Sequence, residues 1–166
     1  MRHFIALSSL ALFAAVPAAN AATTTNTFAV TATVNANCLV SATTLAFGTY
    51  IPSATATVLD ATSTVSVNCT RGTTFNVGLD AGTSSGATVA SRAMTSGSNL
   101  LPYQLYSNSG RTTVWGNTVG TDTVSGTGAG MGTPQVQSLT VYGRIPDTPT
   151  AAPGGYTDTV TVTVTY

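Results

Sequence analysis

Residues 156–166 read YTDTVTVTVTY, and apolar and polar side chains alternate strictly over the second half of this stretch. Val160, Val162, Val164 and Tyr166 share one parity, and the threonines between them have the other. Because successive side chains of a β-strand point to opposite faces, the stretch predicts a strand with one apolar face. We expect this strand to end the fold inside a sheet.

A second alternating stretch lies near the start of the chain. Phe28, Val30, Ala32 and Val34 share one parity, which continues to the first cysteine. Residues 23–34 contain neither a charged residue nor a proline, although soluble proteins commonly use both to protect an exposed strand edge. Both stretches could be ordinary strands of a complete sandwich. One apolar strand near each end instead favours a subunit that completes its fold with a strand of a neighbour.

The first 21 residues have the pattern of a secretory signal peptide. A short basic start precedes an apolar core from Phe4 to Val16, which is too short to span a bilayer comfortably, and small residues follow at the expected cleavage site. We therefore expect residues 1–21 to be removed, residues 22–37 to form a donor-strand segment, and residues 38–166 to form one domain.

The chain carries few charges. Five arginines and five aspartates supply all of them apart from one histidine, because Lys and Glu are absent. Such a chain has no basic patch for nucleic acid and no acidic run, so we expect no nucleic-acid partner. A weakly charged surface rich in threonine lacks the repulsion that keeps monomers apart, which favours packing against other copies.

Cys38 and Cys69 are the two cysteines of the chain. In an exported protein such a pair predicts a disulfide, whereas a redox or metal pair would need a shorter spacing or further ligands. Each cysteine lies on the apolar parity of its own stretch, so we expect the disulfide to lie in the core and to join two early strands.

Alternating runs recur along the rest of the chain, and no sustained helical period is found. The runs predicted as strands are residues 28–40, 44–50, 64–69, 73–79, 100–106, 137–145 and 156–166. The expected core face is formed by odd-numbered positions in several runs, including Leu45, Val67, Val77, Tyr103 and Val141. Loops rich in Gly, Ser and Thr separate them, among them residues 81–97 and 116–134. The pattern predicts an all-β fold of the immunoglobulin-like sandwich kind.

Catalytic chemistry finds little support in the sequence. His3 lies in the signal segment, so Ser-His-Asp catalysis, Cys-His catalysis and histidine-based zinc sites are excluded from the mature chain. The five aspartates lie at turns or strand ends, where Asp commonly forms local hydrogen bonds. We expect no enzyme activity, no cofactor and no metal site.

Three further features have a structural and a functional interpretation. Residues 126–132 resemble a phosphate-binding loop only in their glycine content, since no lysine follows and no helix is predicted after them, and a mobile surface loop is the preferred interpretation. The sequon at Asn68 includes a cysteine expected to be bridged, so we treat it as a chance match. Trp115 and the tyrosines could stack on sugars or, more commonly, fill a sandwich core.

Several motifs, taken in order, resemble the spore coat protein U family of secreted bacterial proteins, whose best understood relatives are pilins of archaic chaperone–usher pili. The resemblance extends over the whole mature chain. The motifs that carry it are Cys38, LAFGTY at 45–50, VSVNC at 65–69, LPYQLY at 101–106, Trp115-Gly116, LTVYGRIP at 139–146 and the stretch from Gly154 to Tyr166.

The resemblance implies an incomplete immunoglobulin-like sandwich that a donor strand completes. In such pilins a periplasmic chaperone first fills the groove along the final strand, and at the outer-membrane usher the N-terminal segment of the next subunit replaces it. On this sequence the donor side chains would be Phe28, Val30, Ala32 and Val34. One wall of the acceptor groove, which would also bind the chaperone, would be formed by Val160, Val162, Val164 and Tyr166.

Together with the two apolar end strands, the resemblance implies a structural subunit of a surface fibre that polymerises by donor-strand exchange and serves in adhesion and biofilm formation. It would pass through the periplasm and reach the cell surface, with other copies of itself or related subunits as partners. The alternative is a secreted monomeric sandwich that binds carbohydrate or a surface, as a lectin or coat protein. A monomeric lectin would not need the exposed apolar segment before Cys38.

Overall fold

The computed structural model describes residues 20–53, 55, 58–148 and 150–166. Most of the expected signal segment lies outside this part of the chain. The chain divides into two units, residues 1–33 and residues 34–166, and the strands described below belong to the second unit. None of the helical residues in the described ranges forms a segment long and apolar enough to cross a membrane.

The described residues form eight β-strands, arranged in two sheets in which neighbouring strands pair in an antiparallel manner. The strands are β1 Cys38–Ala42, β2 Leu59–Cys69, β3 Thr74–Leu79, β4 Arg92–Ser96, β5 Asn99–Tyr106, β6 Val124–Thr127, β7 Gln137–Ile145 and β8 Val162–Thr165. A five-stranded sheet has the order β1-β2-β7-β5-β4, and a three-stranded sheet has the order β6-β3-β8. A short 3₁₀ turn, Thr133–Gln135, precedes β7. The predicted all-β sandwich is therefore confirmed.

Several strand predictions need correction. Residues 28–37 and 44–50 alternate in sequence, but no strand is assigned to them, because β1 begins at Cys38 and ends at Ala42. β4 and β6 lie inside the segments predicted as loops, residues 81–97 and 116–134. β4 was missed because its most buried residue is an arginine, and β6 because a glycine replaces an apolar residue in its short run.

The core lies between the sheets and consists largely of the odd-numbered positions predicted for it. The buried apolar residues of the strands are Val65, Val67, Cys69, Phe75, Val77, Leu79, Leu101, Tyr103, Leu105, Val141 and Ile145. Trp115 is also buried, and its indole N–H donates to the Val77 carbonyl (2.8 Å). A buried indole N–H needs such a partner. Trp115 is thus a core residue, and the sugar-stacking interpretation does not hold for it.

The predicted disulfide joins Cys38 to Cys69, whose Cα atoms are 4.1 Å apart. These residues lie directly opposite each other in the β1–β2 ladder, so the bridge ties the edge strand β1 to its only strand neighbour among the described residues. Cys69 is buried and Cys38 is half-buried.

The chain after β1 turns inward over the five-stranded sheet. Leu45 and Phe47 cover Gly143 of β7, where an added Cβ would lie 2.8 Å from Leu45 Cδ1 and 2.9 Å from Phe47 Cζ. The ring of Phe47 also meets that of Tyr103 edge-on, with centroids 6.3 Å apart. A glycine in β7 is what allows this segment to pack close to the sheet.

The glycine-rich segment at residues 126–132 is anchored to the turn between β2 and β3. The Gly128 N–H donates to the Thr73 carbonyl (2.8 Å), and the Gly130 N–H donates to the Cys69 carbonyl (3.0 Å). A Cβ on Gly128 would overlap the Thr70 carbonyl oxygen. The glycine at position 128 therefore serves close backbone packing beside the disulfide, a contact that sequence reasoning did not anticipate.

Arg92 is a buried charged residue, with 1% of its surface exposed. Its guanidinium donates to the carbonyls of Asp80 (2.8 Å), Val89 (3.0 Å), Leu79 (2.8 Å) and Trp115 (2.8 Å), and to Gln104 Oε1 (2.7 Å). Burial lowers the pKa of Arg92, and nearby acidic groups oppose that shift. The side chain thus connects the end of β3, the loop before β4, β5 and the segment of Trp115.

Replacing Arg92 by methionine should destabilise the domain by about 3 kcal/mol or more, because buried acceptors left without a donor cost about 1–3 kcal/mol each. The measurement is urea unfolding of the mature chain at a protein concentration low enough to prevent self-association. Arg71→Met is the matched control, since Arg71 is exposed, and it should change the unfolding midpoint little. Equal midpoints for the two variants would contradict the role given to Arg92.

Replacing both cysteines by alanine should lower the free energy of unfolding by about 3–4 kcal/mol, since the disulfide closes a loop of roughly 32 residues in the unfolded chain. Urea unfolding with and without reductant measures the effect. Reductant should destabilise the native chain and leave the double variant unchanged. A native chain insensitive to full reduction would show that the bridge contributes little.

Candidate functional site

Two strand edges face each other across a gap in this sandwich. β1 is the last strand of the five-stranded sheet, and β8 is the last strand of the three-stranded sheet. At their nearest residues the Cα atoms of β1 and β8 lie within 8 Å of each other. A further strand, which would lie about 4.8 Å from each of them, would fit between these residues only if the two edges parted slightly. Among the described residues, no strand pairs with the outer edge of either. The sandwich is therefore open along this side.

The backbone of β1 presents polar groups to this opening. The Thr43 N–H donates to the Thr64 carbonyl (3.0 Å), and the Thr70 N–H donates to the Asn37 carbonyl (2.9 Å), both in register with the β1–β2 ladder. Hydrogen-bonded pairs alternate along an antiparallel ladder. The N–H and C=O groups of the residues in between, at positions 38, 40 and 42, consequently point away from β2.

The backbone of β8 is arranged in the same way. The Asp80 N–H donates to the Thr161 carbonyl (3.1 Å), one step before the Leu79–Val162 pair of the β3–β8 ladder. By the same alternation, the backbone groups of Val162 and Val164 point away from β3 and towards the opening. Their side chains are half-buried against the core, whereas Thr163 and Thr165 are exposed.

An apolar groove lies beneath this opening. Its central cavity of ≈ 440 Å³ is bounded on one side by residues 42–47 and on the other by residues 156–162. Between these two walls lie side chains of the core, including Val65, Leu105 and Val141. A second cavity of ≈ 710 Å³ shares Leu45, Phe47, Met94 and Tyr156 with the first and continues the groove along residues 48–52 and 151–155. We call residues 38–47 the β1 wall and residues 156–166 the β8 wall.

The β8 wall is tied to both sheets. At Thr157 it exchanges two backbone hydrogen bonds with Thr95 of β4 (2.9 and 3.1 Å), and further along it pairs with β3. Asp80 Oδ1 also accepts the Thr161 N–H (2.9 Å). The wall is therefore held in place without a strand on its open edge.

One polar group interrupts the apolar lining. Asp158 Oδ2 accepts the Tyr103 hydroxyl (2.6 Å), and Oδ1 accepts the backbone and side-chain donors of Thr83 (both 2.8 Å). Partial burial of Asp158 favours its neutral form, but these hydrogen bonds and that from the Thr159 N–H outweigh it and hold its pKa below the usual value. Burial, together with the bond to Asp158, raises the pKa of Tyr103.

The two groups of residues singled out from the sequence differ in their exposure. Phe28, Val30 and Val34 are 86%, 83% and 86% exposed, and Ala32 is exposed as well. On the β8 wall, by contrast, Val160, Val162 and Val164 contact the core, and Tyr166 is 57% exposed. The assignment of the first group as donor and the second as acceptor stays a prediction.

Sequence reasoning missed the β1 wall as part of the site. The sequence predicts a strand over residues 44–50 with Leu45 and Phe47 in the core, whereas in the structure Ala42 to Leu45 and Phe47 line the groove. It also missed the Asp158–Tyr103 contact, because an aspartate at a turn or strand end is expected to form local hydrogen bonds. Within the described ranges, no three acidic, histidine or cysteine side chains are grouped as a metal site would require.

Comparisons with known proteins agree with this architecture. The model of the spore coat protein U domain matches residues 24–163. Protein U of Myxococcus xanthus is 36% identical to this chain over 133 residues, which cover 74% of this chain and 72% of that protein.

A solved structure is also similar. It is the pre-assembly complex of the chaperone CsuC and the tip adhesion subunit CsuE, from the archaic chaperone–usher Csu pili of Acinetobacter baumannii. The TM-score is 0.57 at 29% identity, and the match covers 81% of this chain and 40% of that chain. This chain thus spans about two fifths of the length of that structural relative. Since the domain model matches nearly all of the chain expected after the signal segment, the chain belongs to the spore coat protein U domain family.

Proposed function

We propose that this protein is a structural subunit of a chaperone–usher surface fibre, polymerised head to tail by donor-strand exchange. The observation that carries the proposal is the apolar groove between two strand edges whose backbone groups face the gap. An inserted strand would satisfy both requirements at once, because its backbone pairs with the edges while alternate side chains fill the groove.

The N-terminal segment has the properties that such a strand needs. Its apolar positions, Phe28 to Val34, number four of one parity and span about 20 Å when extended. The apolar positions of the β8 wall, Val160 to Tyr166, are also four of one parity and cover the same length. The segment is uncharged, and its three large apolar side chains are almost fully exposed in the single chain.

Donor and groove are different surfaces of one chain, so each subunit can give a strand to one neighbour and receive a strand from another. A head-to-tail contact that does not close into a ring grows as a filament. We propose an exported protein that passes through the periplasm with a chaperone, meets an outer-membrane usher, and ends in a surface fibre for adhesion and biofilm formation.

The donor side is tested by Val30→Asp with Val34→Asp, which should abolish fibre growth. Each carboxylate would have to be buried unpaired in an apolar groove, at a cost of several kcal/mol. Thr31→Asp with Thr33→Asp is the matched control, since it adds the same charge on the opposite parity and should permit polymerisation. Fibres are detected by electron microscopy, and the size of the assemblies is measured by size-exclusion chromatography.

The acceptor side is tested by Val162→Asp, with Thr163→Asp as its outward-facing control. The first variant should fail to receive a strand but should still donate one. Mixing it with the Val30→Asp, Val34→Asp chain should therefore give a one-to-one heterodimer that grows no further, measured by light scattering. Normal fibres from either variant alone would refute donor-strand exchange.

The mature chain expressed alone should self-associate or aggregate, because the groove leaves apolar surface and unpaired backbone groups in water. Co-expression with the chaperone of its own assembly system should give a soluble one-to-one complex that no longer binds an apolar dye. A stable, cooperative monomer that neither binds the dye nor self-associates would favour the secreted binding module instead.

A further inference from the structure

Asp158 is the only charged residue among the inward-facing positions of the β8 wall. These positions are Tyr156, Asp158, Val160, Val162, Val164 and Tyr166. Asp158 lines the central cavity of the groove together with Val160 and Val162. It stands where the apolar run of the wall ends.

The carboxylate is held rigidly in this place. Oδ2 accepts the Tyr103 hydroxyl from the core side, and Oδ1 accepts three donors from Thr83 and Thr159 (each 2.8 Å). Gly82 has φ +83°, and a Cβ there would overlap Asp158 Oδ2. A glycine is therefore required beside this carboxylate for steric and for conformational reasons.

Asp158 gives this part of the groove its negative charge. It is the one charged residue among those that line the central cavity, and the residues that line the adjoining cavity carry no charge. The buried guanidinium of Arg92 donates to neutral oxygens and forms no direct ion pair with Asp158. Among the described residues, the Asp158 carboxylate is therefore not neutralised by an ion pair.

We propose that Asp158 is a specificity-determining residue of the groove, which rejects a donor strand that carries an acidic residue at the facing position. The inference rests on the proposed function and names the strand that the groove selects, namely one that is neutral or basic there. Insertion of a strand removes water from Asp158, so the repulsion of a second carboxylate would act in a medium of low dielectric constant. The uncharged segment of residues 22–37 meets this condition.

The facing position follows from the register. All ladders described in this chain are antiparallel, so we take the inserted strand to run antiparallel to β8. If the four apolar donor positions lie along the four apolar positions of the wall, Val34 comes beside Val160. The next position of the same parity, Ala36, then comes beside Asp158. In the opposite direction Asn26 would take that place.

The test uses the full mature chain with Val30→Asp and Val34→Asp as acceptor, because its own donor segment is disabled and its groove is unchanged. Labelled peptides of residues 24–37 carry the native sequence, A36D, A36K, N26D or N26K. Binding is measured by fluorescence anisotropy to this acceptor and to the same acceptor with Asp158→Asn. Asp158→Ser serves as a second neutral variant if the first does not fold.

We expect A36K to bind at least tenfold more tightly than A36D, and Asp158→Asn to reduce that ratio to less than threefold. The native peptide should bind both acceptors within threefold, which shows that the groove is intact. A preference for Lys over Asp at position 26 instead of position 36 would support the role of Asp158 and would show that the inserted strand runs parallel to β8.

The role of Asp158 is overturned if the native peptide binds but neither position shows a charge preference, or if the preference survives neutralisation of Asp158. Failure of the native peptide to bind any acceptor would overturn the proposed function, and this inference with it. The two failures are therefore distinguishable.

Discussion

The rest of this structure depends on two strand edges that face each other with no described strand between them. Polar backbone groups on an edge need partners, and an apolar groove needs cover, so leaving both in water is unfavourable. Water can satisfy the edges but not the groove, and a globular partner could cover the groove without pairing with the edges. An extended strand does both, which is why the geometry favours strand insertion over the docking of a folded partner.

A gap of this kind requires walls that keep their shape without the missing strand. The Cys38–Cys69 bridge fixes one end of β1 to β2, and the Thr95–Thr157 pair fixes the start of the β8 wall to the opposite edge of the same sheet. Arg92 donates hydrogen bonds to five acceptors in several segments that connect the two sheets.

The low charge of the chain is consistent with assembly. Only ten Asp and Arg residues occur in 166 positions, and several of them form ion pairs or hydrogen bonds within the chain. Asp60, for example, pairs with Arg144 (2.7 Å) and Arg111 (3.2 Å) on the outside of the five-stranded sheet. Asp158 lines the groove, where we propose that its charge selects against an acidic donor strand. Under the proposed function, the uncharged segment of residues 22–37 and the carboxylate of Asp158 in the groove would be compatible in one chain.

The sequence by itself determined the features that depend on local alternation. The all-β class, the inward parity of Val65, Val77 and Leu105, and the pairing of Cys38 with Cys69 all agree with the structure, because period-two patterning fixes which face is apolar. The sequence also indicated the β8 wall, since regular alternation shows which face of a strand is apolar whichever strand it pairs with.

Only the tertiary structure decided which alternating runs become strands and what surrounds the groove. Residues 28–37 alternate as clearly as residues 156–166, yet residues 28–37 form no strand. A strand requires a neighbouring strand to pair with, and alternation in the sequence does not show whether one is present. Arg92 could not be predicted as a core residue from the sequence. Its hydrogen-bond acceptors come from positions 79, 80, 89, 104 and 115. A buried guanidinium is tolerated only when such acceptors surround it, which the fold alone decides. The Asp158–Tyr103 contact joins residues 55 positions apart for the same reason: hydrogen bonds across a sandwich are set by packing and not by neighbours in sequence.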